Sequence, residues 1–150
     1  MVTIIASNKQ AMFDYTLLKR FEAGIVLHGH EVKSIKTGHA QLKGAYVTIM
    51  HGEVFFFNGH IPAYGRSSVS ATYDPYRSRK LLLNKKEILE LMGNRSIQGM
   101  SVVPLSIYLS HNKIKVEVAL ARGKKQFEKR DSIKKRETDR EIRRALKSSQ

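Results

Sequence analysis

Between Arg122 and Lys147 the chain carries twelve Lys or Arg against five Asp or Glu, and after Phe127 its only apolar side chains are Ile133, Ile142, Ala145 and Leu146. So sparse a set cannot form the continuous stripe with which a helix packs on a core. Any hydrophobic core must therefore come from the residues before it. The formal charge of the 150-residue chain is +14, and half of that excess lies in this one segment. Such a field attracts polyanions and is screened by salt, because each phosphate neutralised releases counterions. The segment still suits a helix. Gly and Pro are absent after Gly123, and Glu137 and Glu141 stand at helical spacing from Arg140 and Arg144. We expect a folded body over residues 1–126 and a basic tail over 127–150 that is disordered or frayed when free and helical when laid against RNA. A merely solubilising terminus is the bland alternative.

A chain of this length accommodates one modest domain that buries roughly 70% of the surface its unfolded form exposes. With no cysteine, a disulfide framework, a thiolate nucleophile and cysteine-ligated zinc or iron–sulfur centres are all excluded. The opening MVTIIASNKQAMFDY lacks a basic region leading into an apolar one, and no apolar run approaches 18 residues. The expectation is neither secretion nor membrane spanning, and a cytoplasmic location.

The body reads mainly as strands. Ile114, Val116, Val118 and Leu120 alternate with Lys113, Lys115, Glu117 and Ala119, which predicts a strand with one face on the core and the other in water. Leu105–Leu109 is its expected hairpin partner across Ser110–Lys113. The β-branched and aromatic runs on either side of His51-Gly52 predict a second hairpin, and Gly24–Leu27 is a further short apolar run. Asn84 followed by Glu87 forms a capping box ahead of Ile88, Leu91 and Met92, with Gly93 as the stop. A shorter helix over Glu31–Thr37 would turn Val32 and Ile35 inward and end at Gly38. Short strands with gap-filling helices predict a small antiparallel barrel of the OB type, whose closure would remove exposed edges. The first dozen residues and residues 63–79 read as surface loops. The second loop combines Tyr73 and Tyr76 with Arg66, Arg77 and Arg79, side chains that can stack on unpaired bases or bind phosphate; equally, the tyrosines can cover one end of the barrel with the arginines simply hydrated.

His28, His30 and Glu31 invite a metal-dependent hydrolase, but no third ligand follows at a recognisable spacing and there is no HExxH string. Gly123-Lys124-Lys125 lacks the remainder of a phosphate-binding loop. A general single-stranded RNA-binding barrel is a further reading of the same charge pattern.

Several strings in order resemble the SsrA-binding protein family, the partners of transfer-messenger RNA in bacterial ribosome rescue. They are Asn8-Lys9 with Phe13-Asp14-Tyr15, Phe21–Leu27, Glu31–Lys36, Tyr73-Asp74-Pro75 with Arg79–Leu83, Val103-Pro104-Leu105, Ala119–Lys125, Lys129–Lys134 and Arg144–Lys147. The resemblance spans roughly residues 8–147. It implies an RNA-binding barrel that is not an enzyme, needs no cofactor and is monomeric when free. Such a protein binds the transfer-RNA-like domain of transfer-messenger RNA and brings it to stalled ribosomes for trans-translation. Carried onto matching positions, Asn8, Lys9, Glu31, Arg122, Gly123, Lys124 and Lys125 would grip the RNA. Phe127, Lys129, Arg130, Lys134, Lys135, Ala145 and Leu146 would meet the ribosome, including small-subunit RNA, from the tail. Gln10 and Met12, where relatives are often more basic or aromatic, and His28 and His30, where small hydroxyl residues are common, depart from the family pattern.

Overall fold

The alternation at residues 113–120 belongs to the strand Lys113–Gly123, which pairs antiparallel with Met100–Ser110 across a two-residue turn. Both turn residues, His111 (φ 50°) and Asn112 (φ 65°), have positive φ, as do His51 (φ 52°) and Gly52 (φ 75°) in the other tight hairpin. That conformation matches the right-handed twist of the flanking strands. The structure, a computed structural model, describes residues 2–65, 72–124 and 126–148, with the side chains of 126–133 and 147–148 outside the description. In chain order the elements are β1 (Val2–Ser7), α1 (Lys9–Asp14), β2 (Tyr15–Ile25), α2 (Gly29–Lys36), β3 (Tyr46–Met50), β4 (Glu53–Phe57), β5 (Arg79–Leu82), α3 (Lys85–Arg95), β6 (Met100–Ser110), β7 (Lys113–Gly123) and α4 (Gln126–Ser148).

The seven strands form one antiparallel sheet in the order β1-β6-β7-β2-β5-β4-β3, and this sheet is open. The expected OB-like closed barrel is therefore corrected to a curled sheet with β1 and β3 at its edges. The reason lies in the N-terminal residues expected to be a loop. β1 occupies the outer edge of β6 from Ser106 to Ser110. The Asn8 backbone N–H then donates to the Leu105 carbonyl at 2.8 Å, and its side-chain amide donates to the Pro104 carbonyl at 2.9 Å. These bonds take up acceptors that a closing strand would need, and Pro104 itself has no N–H to offer. β3 runs beside β6 without pairing, and α1 lies at the seam between them.

The main core gathers Phe21, Ala23, Ile35, Val54, Phe56, Ile61, Leu81, Leu91, Ile107, Val116 and Val118 on the concave side. A smaller cluster of Ala11, Val103, Leu105, Ala119 and Ala121 forms on the other face of β6 and β7. Ala119, expected to face water, is buried because α1 lays Ala11 over that face. α2 turns Ile35 inward, with Val32 half-buried. The capping box at Asn84 forms as expected: its side chain accepts from the Glu87 N–H at 2.8 Å, and the Glu87 carboxylate accepts from the Asn84 N–H at 3.2 Å. Gly93 does not stop the helix, which continues to Arg95. The left-handed residue is Gly99 (φ 83°), just before β6.

One glycine is required by packing alone. A Cβ on Gly59 would lie 2.2 Å from Cε1 of Phe56, a ring with no exposure. The Gly59 carbonyl also accepts from Arg79 Nη1 at 2.9 Å, so the backbone is held at both sides. Gly59→Ala should lower stability by about 1–3 kcal/mol through overpacking. In urea unfolding the midpoint should fall with little change in slope; an unshifted midpoint would show that the ring has room to move.

Candidate nucleic-acid interface

The cationic residues at the two ends of the body are joined by the sheet register. Tyr15 opposes Gly123, and Thr16 opposes Arg122. The Lys124 N–H donates to the Asp14 carbonyl at 2.8 Å, which fixes the chain leaving β7 against the end of α1. Asn8 caps α1 by accepting from the Ala11 N–H at 3.2 Å. With its amide also on Pro104, Asn8 serves as the hinge pin that orients α1. Lys9 is exposed on the first turn, and exposed Arg122 and half-buried Lys124 lie at the same end of β2. A Cβ on Gly123 would meet nothing within 4 Å, so packing inside the protein does not demand glycine there. Lys125 lies outside the described residues.

Glu31 does not join this patch. β2 has 11 residues, roughly 35 Å at about 3.3 Å per residue; Lys9, Arg122 and Lys124 lie at its start, whereas Glu31 follows its far end on α2. Its side chain is completely buried. Oε2 accepts from Arg79 Nε at 2.7 Å and from Arg77 Nε at 3.1 Å, and Oε1 accepts from Arg77 Nη2 and from the His28 N–H at 2.7 Å. The Tyr73 hydroxyl lies 2.9 Å from Oε2 and 2.7 Å from the Ile61 carbonyl oxygen. Burial alone would push this carboxyl up, but the hydrogen bonds from Arg77, His28 and Arg79 and the charge of Arg79 outweigh it and hold the pKa at about 2. Burial also raises the Tyr73 hydroxyl, reinforced by the adjacent Glu31 carboxylate.

Arg79, expected on a loop, is the first residue of β5 and is buried. Its remaining donors reach the Gly59 carbonyl, the Pro75 carbonyl at 3.0 Å and the Tyr73 oxygen at 3.1 Å. Tyr76, half-exposed against His60, presents the most surface from this group, and Tyr73 and Arg77 are each partly exposed. His30 packs edge-on against Tyr73 at 4.5 Å, and His28 stacks on His30 at 5.8 Å. With Glu31 committed to two guanidinium groups, the His28, His30 and Glu31 set lacks the free carboxylate that a hydrolase would use. No group of three or more potential metal ligands occurs among the described residues.

On α4, Lys134, Lys135, Ala145 and Leu146 are exposed, Leu146 beside a similarly exposed Ile142. The side chains of Phe127, Lys129 and Arg130 lie outside the description. Sequence reasoning did not pair Phe13 with Arg136, which meet with the guanidinium carbon 5.2 Å from the ring centre. No spacing rule links positions so far apart.

The family model described as SmpB protein matches residues 5–148. The chain belongs to the SmpB family. The SsrA-binding protein of Coxiella burnetii (strain Dugway 5J108-111) is 49% identical over 144 residues, covering 96% of this chain and 91% of that protein. That of Persephonella marina (strain DSM 14350 / EX-H1) is 45% identical over 141 residues, covering 94% and 92%. A chain of the solved structure "tmRNA-SmpB: a journey to the center of the bacterial ribosome" is 40% identical with a TM-score of 0.65, covering 80% of this chain and 84% of that one. No helix among the described residues is long and apolar enough to cross a membrane.

Proposed function

We propose that this SmpB-family chain binds the transfer-RNA-like domain of transfer-messenger RNA and delivers it to stalled ribosomes, where trans-translation tags the nascent chain and frees the ribosome. It acts in the cytoplasm as a monomeric RNA-binding adaptor, by recognition rather than catalysis. The observation that carries this reading is the family match over body and basic helix together. In this reading Lys9, Arg122, Lys124 and Lys125 neutralise phosphates, Gly123 leaves space for close approach, and Asn8 orients α1. Glu31 is a positioning residue that fixes Arg77, while Tyr73 and Arg79 hold it in place. The tail, residues 127–150, orders on the ribosome, with Phe127, Lys129, Arg130, Lys134 and Lys135 on small-subunit RNA and Ala145-Leu146 as an apolar foothold.

The test is affinity for a folded transfer-RNA-like RNA against an unstructured RNA of equal length at matched salt. The folded RNA should win, and neutralising Arg122, Lys124 and Lys125 together should abolish that preference. The same change should lower the salt dependence by roughly 0.9 in log–log slope for each phosphate that is no longer neutralised. Equal affinity for both RNAs would instead identify a general single-strand binder.

A further inference from the structure

Between α1 and α4 lies a pocket lined by Lys9, Met12, Phe13, Lys124 and Arg136. Three of the described lining residues are cations, and they come from three separate segments of the chain. Lys124 Nζ lies 3.5 Å from the Met12 carbonyl oxygen, the long limit of a hydrogen bond. Arg136 is held by the Phe13 ring. A guanidinium resting against an aromatic ring keeps in-plane N–H donors that match the oxygens of a phosphate. Met12 and Phe13 add apolar surface to the lining, while Lys9 and Lys124 supply compact charges from the body.

We propose that this pocket seats one phosphodiester of the RNA that the body grips, with Arg136 as the contribution of the tail, so that bound RNA fastens α4 against α1. The inference rests on the RNA-binding reading above. It adds a junction residue to it and makes the boundary between body and tail a shared site.

The experiment measures affinity for the folded transfer-RNA-like RNA across a salt series with the full chain, Arg136→Ala and Arg143→Ala. Arg143 lies about two turns farther along α4, roughly 10 Å away. Arg136→Ala should weaken binding about three- to tenfold and lower the salt slope by about 0.9, whereas Arg143→Ala should change neither. The Phe13 ring resonances should shift on adding this RNA and stay in place with inorganic phosphate at the same ionic strength. Unchanged affinity and slope for Arg136→Ala would overturn the proposal, as would equal losses from Arg143→Ala, which mark an undirected charge effect. Equal ring shifts with inorganic phosphate would assign the pocket to a free anion and also overturn it. If the unaltered chain fails to prefer the folded RNA, the broader reading falls and takes this inference with it.

Discussion

Glu31→Gln should lower the stability of the body by about 3–5 kcal/mol, because it leaves the wholly buried Arg79 guanidinium without its counter-charge. Much of that cost is the penalty of an uncompensated buried cation, and it exceeds the worth of any surface ion pair in this chain, such as Lys19 with Glu90. The pH dependence has a definite sign. The Glu31 carboxyl is held at about 2, below its ordinary value of 4.5, so between those values the unfolded chain binds more protons than the folded one. The stabilisation is complete above about 4.5 and is lost as pH falls through 2. Urea unfolding of both proteins should show a wide gap in midpoint at pH 7 that narrows as the solution is acidified below 4.5. A gap that persists unchanged into acid would mean that Gln destabilises by shape rather than by charge.

Deleting residues 130–150 should abolish peptide tagging on non-stop ribosomes and reduce affinity for the transfer-RNA-like RNA by less than about tenfold. The deletion leaves intact the whole sheet, both clusters of buried apolar residues, and Lys9, Arg122 and Lys124. It removes Arg136, one of the cations lining the pocket that also holds Lys9 and Lys124. It also removes Lys134, Lys135, Ala145 and Leu146, assigned here to the ribosome. Reconstituted tagging with full-length and shortened protein, run beside RNA binding at one salt concentration, reads both effects. Parallel collapse of binding and tagging would contradict the assignment of separate tasks to body and tail.

Much of the local structure was legible because its causes lie within a few residues. The alternation at Ile114–Leu120 needs only the two-residue period of a strand, and the cap at Asn84 needs only its own helix. The short helix bearing Ile35 and the turn at His51-Gly52 follow in the same way. Less was legible where a residue's surroundings come from elsewhere in the chain. β1 has no polar alternation to mark it, since it lies at the sheet edge with β6 as its one paired strand and its residues are mostly exposed. Gly93 carries a stop signal that packing of Leu91 into the core overrides.

The sequence by itself determined a β-rich body, a separate basic segment, the family and the class of partner, because periodicity, turn chemistry, charge density and ordered motifs are all properties of the chain read in line. Tertiary structure alone decided that the sheet stays open at the β3–β6 seam, that Glu31 and Arg79 are buried together, and that Lys9, Lys124 and Arg136 share one pocket. Those outcomes depend on long-range register and on which groups compete for the same hydrogen bonds, and no window of neighbouring residues contains that information.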